Sequence, residues 1–127
     1  MTNPVLENLK TRRAIRKYLP RQVEPEKLDL ILEAGTYAPT GMGMQSPVII
    51  GSCVLENMML AAHSLGLGSC WIHREREMFE LPEGKELLSQ WGITEPLTGV
   101  GALALGYPDG DAPQPKPRKE GYIVKVL

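Results

Sequence analysis

Arg12, Arg13, Arg16 and Lys17 crowd into one short stretch of a 127-residue chain whose formal net charge is only −1. Cations at that density repel one another unless an anion sits against them or they all face water. A second basic group, Lys116-Pro117-Arg118-Lys119, lies near the opposite end of the chain. Two cationic patches so far apart in sequence suit a small phosphate-bearing ligand gripped between the chain ends. A phosphate monoester carries about two negative charges and is best met by forked guanidinium donors. The arginines and lysines of the two groups are the candidates for that contact, the alternative for Lys116 and Arg118 being solvated loop charges.

Other residues offer less. Thr40 and Gln45 fall in Pro39-Thr40-Gly41-Met42-Gly43-Met44-Gln45-Ser46-Pro47, a segment too rich in glycine and proline for regular structure. A hydroxyl and an amide there can hydrogen-bond a polar ring, or Thr40 simply steadies the loop. Gly66-Leu67-Gly68 has the wrong spacing for a dinucleotide fingerprint. It reads either as a turn that lets backbone approach a ligand closely or as a helix C-cap. His63 and His73 stand too far apart, with too few carboxylates, to make a metal site, so each reads as a satisfied or surface histidine. Cys70 has no base beside it and reads as core. Met58 and Met59 read as helix core, whereas Met42 and Met44 line either a pocket or only a loop. No side chain is singled out as a catalytic acid, base or nucleophile.

Size and composition bound the answer. The length suits one domain, residues 1–127, and 43% hydrophobic with 23% charged residues is ordinary for a globular protein. A pI near 6.1 argues against a nucleic-acid binder. No apolar run approaches the roughly 20 residues that cross a bilayer, so no membrane partner is expected. Met1-Thr2-Asn3-Pro4 lacks the basic and apolar regions of a secretory signal. Two cysteines without CxxC spacing read as free thiols in a reducing compartment. A cytoplasmic location is the expectation.

The elements that must position these residues follow from local pattern. Asn3-Pro4 opens a helix that runs into the arginine cluster, where Arg16, four residues past Arg12, shares its face if the helix persists. A second helix starts at Pro25, presents Leu28, Ile31, Leu32 and Gly35, and stops before Pro39. Val48-Ile49-Ile50 is a buried strand candidate. Ser52 can cap a third helix carrying Leu55, Met58, Met59, Ala62 and Leu65, ended by Gly66 and Gly68. Ser69 to Ile72 is extended, Pro82 to Trp91 helical with Gly92 as C′ residue, and Gly99 to Tyr107 a strand whose small residues imply a close neighbour. Pro108 to Gly121 is a proline-rich arm, and Ile123 to Leu127 a terminal strand. Helices interleaved with short strands give an α/β or α+β domain. The arm and terminal strand sit awkwardly on a compact monomer and point to a homodimer, a solvated tail being the alternative.

In order along the chain, Arg12-Arg13-Ala14-Ile15-Arg16-Lys17-Tyr18, Ala38-Pro39-Thr40-Gly41 with Gln45, Glu56 to Ala62 leading into Gly66-Leu67-Gly68-Ser69-Cys70-Trp71-Ile72, Ala104-Leu105-Gly106-Tyr107-Pro108 and Lys116-Pro117-Arg118 resemble the FMN-dependent nitroreductase family. The resemblance implies an α+β fold, with helices around a central mixed sheet and a C-terminal strand reaching a dimer partner. It implies FMN bound through Arg12, Arg13, Ala14, Arg16, Pro39, Thr40, Gln45, Gly66, Leu67, Gly68, Lys116 and Arg118. By that likeness Arg16 is the basic residue at the pyrimidine edge, with Arg13 second, and the Gly66 turn presents backbone N–H to the ring. A fixed cation at that edge stabilises the charge of the reduced ring.

Three departures stand out. Members usually carry a helix and a central strand between the positions of Ile50 and Gly51, and this chain lacks those tens of residues. Ala14 stands for a usual serine, and Gly43 and Ser46 for a usual asparagine and proline. The implied activity is a ping-pong oxidoreductase, a homodimer taking hydride from NADH or NADPH and reducing nitroaromatics, quinones or related electrophilic acceptors. The rival readings are a flavin- or phosphate-ligand-binding protein without turnover, and an incomplete fragment of the enzyme.

Overall fold

The computed structural model describes residues 3–44 and 46–126. Helix α1 spans Pro4–Thr11 and begins where Asn3 Oδ1 accepts from the Val5 and Leu6 amides at 2.8 and 3.4 Å. Pro4 occupies the first helical position, where a missing N–H costs nothing. Helix α2, Pro25–Thr36, repeats the proline start and buries Ile31 and Gly35, while Leu28 and Leu32 stay partly exposed.

Helix α3 runs from Pro47 to Ser64 and corrects two expectations. Val48-Ile49-Ile50 is its first turn, not a strand, and the cap is Ser46, whose side chain accepts from the Ile49 amide. Ser52 instead donates to the Val48 carbonyl within the helix, at 2.7 Å. Ser46-Pro47 is itself a cap and first-position pair, so the apolar run after it joins the helix behind it. The helix therefore passes unbroken through the Ile50–Gly51 junction.

Strand β1, Gly68–Ile72, pairs antiparallel with β2, Ala102–Gly106, with Gly68 opposite Gly106 and Ile72 opposite Ala102. Parallel and antiparallel bridges, Ala14 to Ser69 and Tyr18 to Pro108, add the arginine-bearing segment to this sheet. Close approach explains the small residues before β2, for a Cβ on Gly101 would lie 2.9 Å from the Trp71 ring. Between the strands lie α4, Glu75–Glu80, which local pattern did not announce, and α5, Pro82–Gln90, ended at Gly92 with φ +73°. The architecture is α+β.

The buried centre is Ile31, Ala62 and Leu67, joining α2, α3 and the turn into β1, with Leu105 and Tyr107 packed against it. Much apolar surface stays outside: Met42 is 86% exposed, Ile123 80% and Val126 92%. Described residues 122–126 pair with neither strand, and Leu127 lies outside the described residues. The accessible surface totals 10082 Å², against about 6,700 Å² for a compact monomer of this mass.

Candidate functional site

Helix α1 stops at Thr11, so the basic cluster is not helical as its spacing allowed. Arg12 takes φ −56° and ψ 134°, and the chain from there to Tyr18 is non-helical, with isolated bridges at Ala14 and Tyr18. The Ile15 amide donates to the Ser69 carbonyl at 3.0 Å and the Leu19 amide to the Tyr107 carbonyl at 2.8 Å. Sheet bonding thus competes successfully with continued helix. It needs Gly68, because a Cβ there would lie 2.7 Å from Ile15 Cβ. Arg12 and Arg16 do not share a helix face.

The arm after β2 folds back along this segment. Together they wall a cleft of about 870 Å³ lined by Leu9, Lys10, Arg12, Arg13, Ala14 and the arm from Gln114 to Arg118. Among the described residues its lining holds five cations, counting Lys116, and no carboxylate. The basic groups from the two ends of the sequence therefore meet. Arg118 donates to the Lys116 carbonyl at 3.0 Å. The arm also curls around a hollow of about 600 Å³ lined only by its own residues, Pro117 to Ile123.

Arg12 and Arg13 also border a smaller cleft of about 280 Å³, whose other walls include Thr11, His63, Gly66, Leu67, Ser69 and Asp111. Arg12 is three-quarters covered, and its Nε is 3.9 Å from Glu56 Oε1, a long pair that leaves the guanidinium largely uncommitted. Arg13 donates at 2.7 Å to the Lys10 and Arg12 carbonyls, satisfying the end of α1. Arg16 is exposed and borders a third hollow with Lys17, Asp109 and Asp111. A 2.9 Å ion pair joins Lys17 to Asp109.

Other expected residues sit differently. Gly66 terminates α3 at φ +77°, where its amide donates to His63 O and the Leu67 amide to Ala62 O. Those N–H groups belong to the cap, and the Leu67 side chain is core, only 2% exposed. Pro39 and Thr40 are exposed and line neither arginine cleft; Thr40 precedes a 3₁₀ turn, Gly41–Gly43. Gln45 lies outside the described residues. Among the described residues no group of three or more metal-ligating side chains occurs, and no helix is long and apolar enough to cross a membrane.

Sequence reasoning singled out neither Lys10, Thr11 nor Asp111, and read His63 as a satisfied or surface histidine. His63 Nε2 lies 2.9 Å from Thr11 Oγ1, a partner 52 positions away that no local spacing reveals. Burial and the nearby Arg12 and Arg13 guanidiniums push the imidazole below its ordinary pKa.

Comparison with known proteins gives the frame for this site. A protein of Methanothermobacter thermautotrophicus, provisionally named NADH dehydrogenase/NAD(P)H nitroreductase, is 28% identical over 151 positions, covering 82% of this chain and 77% of that one. Those 151 positions exceed the 127 residues here, so the relative carries internal residues that this chain lacks. The crystal structure of a Bacteroides fragilis nitroreductase with bound FMN superposes with TM-score 0.90 at 28% identity, over 99% of this chain and 100% of that one. An FMN-bound nitroreductase of Desulfitobacterium hafniense shares the fold at TM-score 0.82 and 16% identity, over the whole of both chains. The profile of the nitroreductase family matches residues 9–50 and 52–107, parting at the junction where the sequence lacks its expected segment. With the arginine segment, the Gly66 turn and β2 all inside that match, the chain belongs to the nitroreductase family.

Proposed function

We propose that the chain is a single flavin-binding domain that acts, as a homodimer with FMN at the subunit interface, as an NAD(P)H oxidoreductase. Its acceptors on this reading are nitroaromatics, quinones or related electrophiles. The observation that carries the reading is the cleft between the arginine segment and the arm, which among the described residues gathers five cations and no carboxylate. That donor set fits a phosphate monoester and would repel itself without one. The FMN bound by the Bacteroides and Desulfitobacterium relatives supports the choice of ligand.

Within this reading Arg12, Lys116 and Arg118 hold the phosphate, while Arg13 and Ala14 form the wall beside it. Arg13 acts chiefly through the end of α1, whose carbonyls it binds. The non-helical path to Arg16 suits a ligand whose phosphate and ring are separated by a ribityl chain, and it leaves Arg16 free for the pyrimidine edge. FMN, when bound, supplies the hydride and electron transfer, so no side chain is assigned as acid, base or nucleophile. Gly66, Leu67 and Gly68 hold the backbone floor that a flavin would face. Pro39 and Thr40, outside the arginine clefts of one chain, contribute from the interface, and Gln45 is assigned to the same loop contact. The nicotinamide and the acceptor use one site in turn, which is ping-pong kinetics.

Surface area supports the dimer. The chain exposes about half as much again as a compact monomer of its mass. The exposed apolar side chains of residues 122–126 and of the Met42–Ile49 region are the kind a partner covers. The test is anaerobic titration of the purified protein with NADH and with NADPH. The flavin absorbance should bleach with at least one and return on adding a quinone. A yellow protein that neither nucleotide bleaches favours the second reading, a flavin-binding protein without turnover. The passage of α3 straight through Ile50–Gly51, where the family match breaks, gives that alternative its footing.

A further inference from the structure

We propose that His63 is coupled to the anion site through Arg12 and Arg13, which its own cleft shares with the five-cation cleft, and that a phosphate dianion bound beside those arginines draws a proton from solvent onto its Nδ1. The inference rests on the flavin reading above and deepens it, making FMN binding proton-linked through a named side chain.

Donor accounting fixes the starting state. Thr11 Oγ1 donates its one proton to the Glu7 carbonyl at 2.6 Å, so towards His63 it can only accept. His63 Nε2, 2.9 Å away, therefore carries the hydrogen, and the neutral ring is the Nε2–H tautomer. Nδ1 has no hydrogen-bond partner among the described residues and is the only place for a second proton. The imidazole does not line the 870 Å³ cleft of five cations; it borders the 280 Å³ cleft, which shares Arg12 and Arg13 with that one and also holds Ser69 and Asp111.

The charges facing it can be named element by element. Arg12 and Arg13 come from the segment after α1, and Asp111 from the loop after β2. On α3 itself the near charge is Glu56, 3.9 Å from Arg12, and the last-turn carbonyls of that helix favour a cation at residue 63. Ser69 on β1 contributes no charge. Burial first, then the Arg12 and Arg13 guanidiniums, lower the imidazole's pKa below its ordinary value and so disfavour the protonated ring. A dianion against Arg12 and Arg13 reverses the local field, and the ring then gains from protonation. By linkage, each unit of rise in the His63 midpoint makes binding about tenfold tighter well below that midpoint than well above it.

The chain has two histidines, which makes proton NMR decisive. The Cε1–H resonances of the flavin-free full chain are titrated alone, with saturating FMN and with saturating riboflavin, using His73→Gln at the exposed second histidine for assignment. The expected result is a His63 midpoint below 6.5 that rises by at least about one unit with FMN and stays put with riboflavin. Calorimetry in buffers of different ionisation enthalpy should then show proton uptake near pH 6.5 that His63→Gln removes, beyond any uptake by the phosphate itself. Bound FMN with an unmoved His63 midpoint, or an equal rise with riboflavin, overturns the inference and leaves the flavin reading intact. Failure to bind FMN at any pH overturns both.

Discussion

The Tyr107 hydroxyl donates to Glu24 Oε2 at 2.6 Å, tying the last residue before the Pro108 turn to the residue that precedes α2, 83 positions away. Around that bond Lys27 Nζ donates to the same hydroxyl at 2.8 Å, and Arg21 donates to Glu24 Oε1 at 2.6 Å while its guanidinium lies 4.1 Å from the centre of the Tyr107 ring. This cluster anchors the start of the loop and arm that carry Asp111, Lys116 and Arg118. It is structural in position and functional in consequence.

Glu24 reports on it through pH. The Tyr107 hydroxyl, then backbone and Arg21 hydrogen bonds, lower its carboxyl from 4.5 to about 2. A carboxylate depressed by folding adds stability above its unfolded pKa and loses it as pH falls through its folded one. Glu24→Gln should therefore unfold at lower denaturant concentration than the parent at pH 6. The gap should hold down to about pH 4.5 and close progressively towards pH 2. A gap of constant size across that range, in urea titrations at fixed ionic strength, would contradict the assignment.

Local signals were legible wherever capping decided the structure. Asn3-Pro4, Pro25 and Gly92 mark the helix ends they announced, because each acts within one turn. Val48-Ile49-Ile50 was not, since a short apolar run reads equally as strand or buried helix. The end of α1 carried no glycine or proline, and what stops it is the pairing of Ala14 with Ser69, a distant partner. The meeting of the two basic groups was readable from charge alone. Thr11 with His63, by contrast, is a tertiary accident of α1 lying along α3, and nothing in either sequence neighbourhood pointed to it.

Gly84 makes the sharpest packing prediction. It sits in the first turn of α5, buried against α4, where a Cβ would lie 2.0 Å from the Met78 carbonyl oxygen and 2.8 Å from Phe79 Cα. Backbone cannot step aside as a side chain can, so Gly84→Ala should cost about 2 kcal/mol or more, at the upper end of overpacking effects. Thermal unfolding checks this, with a midpoint several degrees below the parent. An unchanged midpoint would mean that α4 and α5 are spaced more widely than described.

Arg12 and Arg118 border one cleft from opposite ends of the sequence, so their contributions to FMN binding should share a signature. A guanidinium–phosphate bond contributes about 1.5–3 kcal/mol, hence Arg12→Ala and Arg118→Ala should each weaken FMN roughly 10- to 100-fold. Riboflavin, without the phosphate, should bind parent and variants alike. Because the contacts are ionic and partly exposed, raising salt should narrow the difference. Fluorescence titration at two ionic strengths measures all of it. Equal losses for FMN and riboflavin would place the damage in folding and not in the anion site.

The last prediction concerns the arm beyond the site. Tyr122, Ile123, Val124 and Val126 are each at least 80% exposed in one chain, an arrangement that water disfavours for four consecutive large side chains interrupted only by Lys125. Covering them in a dimer would remove several hundred Å² of apolar surface, at about 25 cal/mol per Å². Truncation after Gly121 leaves Lys116 and Arg118 in place but removes that surface. The truncated protein should sediment as a monomer at concentrations where the full chain is dimeric. On the reading that FMN sits between two copies, it should also lose FMN affinity although Arg12, Lys116 and Arg118 are retained. A truncated chain that stays dimeric and yellow would show that the arm's apolar end covers nothing essential, and would move the dimer contact to the exposed side chains around Met42 and Ile49.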